Sequence, residues 1–146
     1  MREDSRPLAV CAVTVIAALL VVGAVSHGVL RHIVQTFPLW IGIVLTARQS
    51  GYGKWAVLPC FIFWLLVMIA IWLFLLGWAQ VVSGTFSPTE IAMTLIVGTA
   101  SSVGIVKALR LRGAARPWAA AVTSLGVAML QLAMFRLSLI DSIAHR

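Results

Sequence analysis

The chain has 146 residues, 62% of them apolar and 10% charged, with 11 Lys and Arg against 4 Asp and Glu. An ordinary soluble domain is roughly 45–50% apolar and about 25% charged, so this composition excludes a water-soluble globule and points to an all-α, polytopic transmembrane helical bundle. A formal charge of +7 would suggest nucleic acid in a soluble protein. In a membrane protein it reads as basic loops, making the bilayer and its cytoplasmic-side anionic lipids the expected partners, with no nucleic acid.

A span takes about 20 mainly apolar residues, and five fit, at about 8–26, 33–47, 55–82, 88–106 and 117–135, forming one domain over 1–146. The first runs from Leu8 to Ser26. Arg2 and Arg6 before it, with Ala24 and Ser26 after it, resemble a secretory signal peptide, but an apolar stretch of nearly 20 residues has the length of a retained span. The second, Ile33 to Ala47, is the weakest. Its 15 residues cover roughly 22 Å at helical rise and include Pro38. The alternative is four spans, with 33–47 a re-entrant segment.

Trp55 to Val82 is the strongest apolar run, and Trp55 and Trp78 suit interfacial anchors at its two ends. Ser87, Pro88 and Glu90 form the pattern of a helix start, with Ser87 as N-cap and Glu90 closing a capping box. The fourth span then ends in Lys107, Arg110 and Arg112 with Gly113 as a C-terminal cap, and Pro117 opens the fifth. With the N-terminus inside, eight basic residues fall on the inner side and three outside; in the four-span alternative the split is seven against four. Both arrangements make 107–116 cytoplasmic and the C-terminus external, in a plasma membrane of the bacterial inner-membrane type. Lys107, Arg110, Arg112 and Arg116 are the residues expected to meet anionic lipid there.

Few residues could carry chemistry. The four carboxylates, Glu3, Asp4, Glu90 and Asp141, fall at segment ends or in tails, which weighs against an ion-coupled pump using a mid-membrane carboxylate. Cys11 and Cys60 lack C-x-x-C spacing, so neither a zinc site nor a redox pair is indicated. His27 and His32 cannot readily clasp one haem iron from a single helix, and no C-x-x-C-H motif is present, so no metal or cofactor is expected. His27, Arg31 and Gln35 recur at i, i+4 and i+8, with His32 beside them. In the five-span arrangement they share the outer side with Glu90. That group is the candidate site for the phosphate or carboxylate of a substrate. The plainer readings are an interfacial hairpin facing water and headgroups, and for Glu90 the capping box alone.

Thr94, Gly98 and Ser102 recur at four-residue spacing and are expected to let helices pack closely within the bundle or between copies. Ala100 and Gly104 share that spacing, Gln131 could bond across helices, and Trp64, Met68 and Trp72 form a stripe read as a packing or lipid-facing surface. No dinucleotide, phosphate-loop or nucleophile motif occurs. The leading functional reading is a small non-enzymatic subunit or self-associating membrane component, as a homo-oligomer or in a larger complex. Its alternatives are a membrane-embedded enzyme or carrier for an anionic lipid or amphiphile at the outer face, and a small oligomeric channel or transporter. Convergence of the His27 to Gln35 group with Glu90 in one cavity would favour the enzyme or carrier.

Overall fold

A computed structural model describes residues 5–48, 50–80, 82, 84–111 and 115–140. It contains five helices, α1 (Arg6–Val25), α2 (Val29–Ala47), α3 (Gly53–Leu75), α4 (Pro88–Arg110) and α5 (Pro117–Leu137), and the described residues form no strand. Each helix is long and apolar enough to cross a membrane. The fold is a five-helix membrane bundle.

The second segment is a continuous helix of 19 residues, about 28 Å long at helical rise, which removes the reason for a re-entrant segment. It begins at Val29, four residues earlier than the apolar run suggests, because the chain turns sharply after α1. Ser26 is the C-cap of α1, His27 takes a left-handed backbone with φ 55°, and the Gly28 N–H donates to Gly23 O at 2.8 Å. That 6→1 bond closes a Schellman turn. The helix continues through Pro38, which is buried. Proline inside a membrane helix is tolerated where neighbouring groups re-satisfy the backbone.

The third span is shorter than its apolar run. Gly77, at φ 74°, occupies the left-handed position, and Trp78 N–H donates to Leu73 O at 2.9 Å, another Schellman closure. The helix therefore stops at Leu75 instead of near Val82, and Trp78 lies beyond it, 77% exposed, instead of at its last turn. α4 starts as its sequence pattern requires. Ser87 Oγ accepts from the Glu90 N–H at 3.3 Å, and the Ser87 N–H donates to Glu90 Oε2 at 2.7 Å.

Side-chain contacts fix the helix directions. Trp72 with Thr94, Phe61 with Gly104 and Lys54 with Leu111 run α3 and α4 antiparallel, whereas Trp55 with Ser124 and Phe63 with Phe135 run α3 and α5 parallel. α3 packs on α2, α4 and α5; α1 packs on α2 and α4; α2 and α4 form no extensive contact with each other. The core includes Leu8, Ala12, Val15, Leu39, Phe61 and Val97.

Of the two α4 glycines facing α3, the tighter is not the one in the expected Thr94, Gly98 and Ser102 face. A Cβ on Gly104 would lie 2.6 Å from the Phe61 ring, whereas one on Gly98 would lie 3.9 Å from Met68. Of the proposed packing face, Thr94 is buried, Gly98 is half-buried and Ser102 is exposed. The buried stripe of α4 instead runs Thr94, Val97, Ser101, Gly104 and Ala108, spacings of three and four that keep it on one face.

Candidate functional site: a cavity between the starts of two helices

Alternating helix directions bring the C-terminal ends of α1, α3 and α5 together with the N-terminal ends of α2 and α4. Because α2 and α4 do not close on each other, a cavity of about 280 Å³ remains at this end. Arg31, His32, Gln35 and Glu90 all line it. His27 does not; it is exposed, and its place in the turn is conformational.

The turn at His27 makes Arg31, His32 and Gln35 the third, fourth and seventh residues of α2. His32 Nδ1 lies 2.9 Å from the Gly28 carbonyl. A carbonyl only accepts, so Nδ1 carries a proton there and the lone pair of the neutral ring is on Nε2. The charged groups acting on this imidazole are Arg31 and Glu90. Glu90 is half-buried, with Oε2 engaged by the capping box, so one residue serves as both helix cap and cavity wall.

Gln35 is 3% exposed and already committed. Its Nε2 donates to Ser138 Oγ at 2.8 Å, its backbone carbonyl accepts from Gln131 Nε2 at 3.1 Å, and Ser138 Oγ donates to Phe135 O at 2.6 Å. These bonds tie α2 to the end of α5. Gln35 thus lines the cavity mainly as part of its frame.

Two donors on the cavity wall have no partner. Arg31 Nε and Trp64 Nε1 are both buried without a hydrogen bond, and Trp64 is only 2% exposed. A buried indole N–H usually finds an acceptor. Trp64 lies eleven residues before the end of α3, about 16 Å along the axis, so the cavity reaches well into the bundle. Its deeper wall is apolar, with Leu19, Val67, Met68, Val97 and Phe135.

A second space, an open groove of about 480 Å³ along α3 and α4, is lined by Leu65, Trp72, Gly98 and Ser102, among others. Met68 and Thr94 line both spaces, and Trp72 Nε1 donates to Thr94 Oγ1 at 3.0 Å on this shared wall. The groove therefore lies on the far side of the Met68–Thr94 wall from the cavity, and Gly98 and Ser102 form part of its lining.

At the opposite end of the bundle lie Arg6, Arg48, Lys54, Lys107, Arg110 and Arg116, six of the eight described basic residues; Arg31 and Arg136 are the other two. Lys107, Arg110 and Arg116 are exposed. Arg112 lies outside the described residues, as does Gly113.

Nothing in the sequence marks Trp64 as a cavity residue, because its four-residue spacing with Met68 and Trp72 reads equally well as packing, and Ser138 carries no local signal. Comparison of the chain with family models, curated proteins and solved structures gives no match.

Proposed function

We propose that this membrane protein binds an amphiphile by its phosphate or carboxylate headgroup, as a carrier or embedded enzyme for such molecules. The observation behind this reading is the convergence of Arg31, His32 and Glu90, from two helices distant in sequence, on one cavity with an apolar depth. It shifts the balance away from the subunit or self-associating component favoured by the sequence, and from an oligomeric channel.

Charge and shape support it. The N-terminus of α2 carries the partial positive charge of a helix start, and its first turn has no acidic residue. Arg31 adds a full charge there, with a guanidinium geometry suited to phosphate or carboxylate oxygens. Its Nε is buried without a hydrogen-bond partner, a cost that an anion's oxygen would relieve. The volume suits a headgroup more than a whole lipid, and the neighbouring groove, divided from the cavity by Met68 and Thr94, would hold an acyl chain over Gly98 and Ser102 once that wall parts. On this reading the small-residue stripe of α4 serves the ligand as well as the fold.

For orientation, the basic end is cytoplasmic by the positive-inside rule, which puts the cavity and the C-terminus on the outer side of a bacterial-type inner membrane. Exposed Lys107, Arg110 and Arg116 attract anionic lipid at the inner surface, together with Arg112. The cavity and the basic end therefore compete as explanations for any bound lipid. Arg31→Gln separates them: it is expected to lose phospholipid that survives detergent purification of the native chain, and unchanged retention would count against the cavity.

A further inference from the structure

We infer that the headgroup taken by the cavity is a zwitterion, a phosphate ester carrying a primary ammonium, on an acylated amphiphile. The inference rests on the headgroup reading above and narrows it. It comes from the pairing of unlike charges on the cavity wall. Arg31 on α2 and Glu90 on α4 both line the cavity, and no ion pair joins them among the described residues. A ligand with only negative charge would satisfy Arg31 but set an anion near the Glu90 carboxylate. A ligand bearing both charges satisfies both.

The acceptor chemistry selects the kind of cation. Glu90 Oε2 takes the Ser87 N–H at 2.7 Å, and a carboxylate has about four lone-pair sites on its two oxygens, so acceptor capacity remains for N–H donors. A primary ammonium offers three. A quaternary ammonium offers none and is recognised instead by a cage of aromatic faces. Two of the lining rings are engaged otherwise: Phe135 packs edge-on against Phe63 at 5.2 Å and Phe86 tilts against Phe74 at 6.1 Å.

The orphan donor supplies the third point. Below Arg31, the unpartnered Trp64 Nε1–H is buried in a residue 2% exposed. In an acylated phosphate ester, the next acceptor beyond the phosphate is the ester carbonyl. Glu90 and Arg31, each the third residue of its helix, sit at the same end of the cavity, and Trp64 lies deeper. Glu90 takes the ammonium, Arg31 the phosphate and Trp64 the carbonyl, while the acyl chain parts the Met68–Thr94 wall to lie in the neighbouring groove.

Glu90→Gln provides a clean test because glutamine at the same position can still close the capping box while removing the charge. Native protein and this variant are passed through nanodiscs of equal parts phosphatidylethanolamine, phosphatidylglycerol and phosphatidylcholine, and the retained lipid is identified by mass spectrometry. The native chain is expected to enrich phosphatidylethanolamine about tenfold over both others, the worth of one charge-assisted hydrogen bond. Glu90→Gln is expected to abolish the preference over phosphatidylglycerol while still retaining phosphatidylglycerol. A native preference for phosphatidylglycerol, or for phosphatidylcholine, would overturn the ammonium assignment and leave the headgroup reading standing. Retention of no lipid above the Arg31→Gln level would overturn the headgroup reading itself. Soluble phosphoethanolamine should compete only in large excess; competition at equimolar amounts would keep the headgroup chemistry and overturn the lipid as its source.

Discussion

His27 illustrates how a residue can be conspicuous in sequence for one reason and important in structure for another. Its φ of 55° is a conformation that costs an ordinary L-residue roughly 1–2 kcal/mol, and glycine adopts it freely at some cost in unfolded-state entropy. His27→Gly is therefore expected to stabilise the bundle by roughly 0.5–1 kcal/mol in detergent melting, with lipid retention unchanged. Loss of bound lipid in that variant would instead give the His27 imidazole a place in the site. Arg31, His32 and Glu90 were legible as candidates because charged and titratable side chains are rare in such a chain and their helical spacing is readable. Gln35 was legible too, but not its engagement by Ser138, since no local pattern links positions so far apart in sequence. Trp64 was hidden for the opposite reason: an indole inside an apolar run signals burial, and only the tertiary fold shows that its N–H lacks an acceptor.

The helices that start with explicit chemistry are the most legible in the sequence. Ser87, Pro88 and Glu90 set the start of α4, and Pro117 that of α5, because caps and prolines act through the adjacent backbone. α3 ends early for a reason hidden by hydrophobicity, since Gly77 terminates the helix while the apolar composition continues to Val82. Small-residue spacing identified α4 as a helix with close neighbours, but several such pairs exist along it, and which pair is tight depends on the partner side chain. The Phe61 ring makes it Gly104. Gly104→Leu is accordingly expected to cost about 1–3 kcal/mol or more through overpacking, seen as a lower melting temperature or folded yield. Gly98→Ala, with its Cβ at ordinary contact distance from Met68, is expected to be neutral or stabilising by up to about 1 kcal/mol through helix propensity. Equal damage from both would place the closest α3–α4 approach elsewhere.

At the scale of the molecule, the number of helices followed from composition and length, whereas the cavity followed from the way they are stacked. α2 and α4 are separated by their common neighbours α1 and α3, so their polar first turns face a gap instead of each other. The same alternation gathers Arg6, Arg48, Lys54, Lys107, Arg110 and Arg116 at the far end. The orientation proposed from that asymmetry is open to labelling in intact cells with Cys11 and Cys60 replaced by alanine. Ala115→Cys should resist a membrane-impermeant thiol reagent and Leu139→Cys should react; the reverse pattern would invert the bundle and place the cavity inside.

The proposal that the cavity, and not the basic end, holds the ligand is tested most directly by quantifying phospholipid bound per chain after purification. The native protein is compared with Arg31→Gln and Arg110→Gln, each checked for unchanged melting temperature. Loss of one charge-assisted, partly buried contact predicts about a tenfold fall for Arg31→Gln. An exposed cation contributes little at physiological salt, so Arg110→Gln should stay near the native level. A fall confined to Arg110→Gln would contradict the cavity reading and leave only surface attraction of anionic lipid to the basic end.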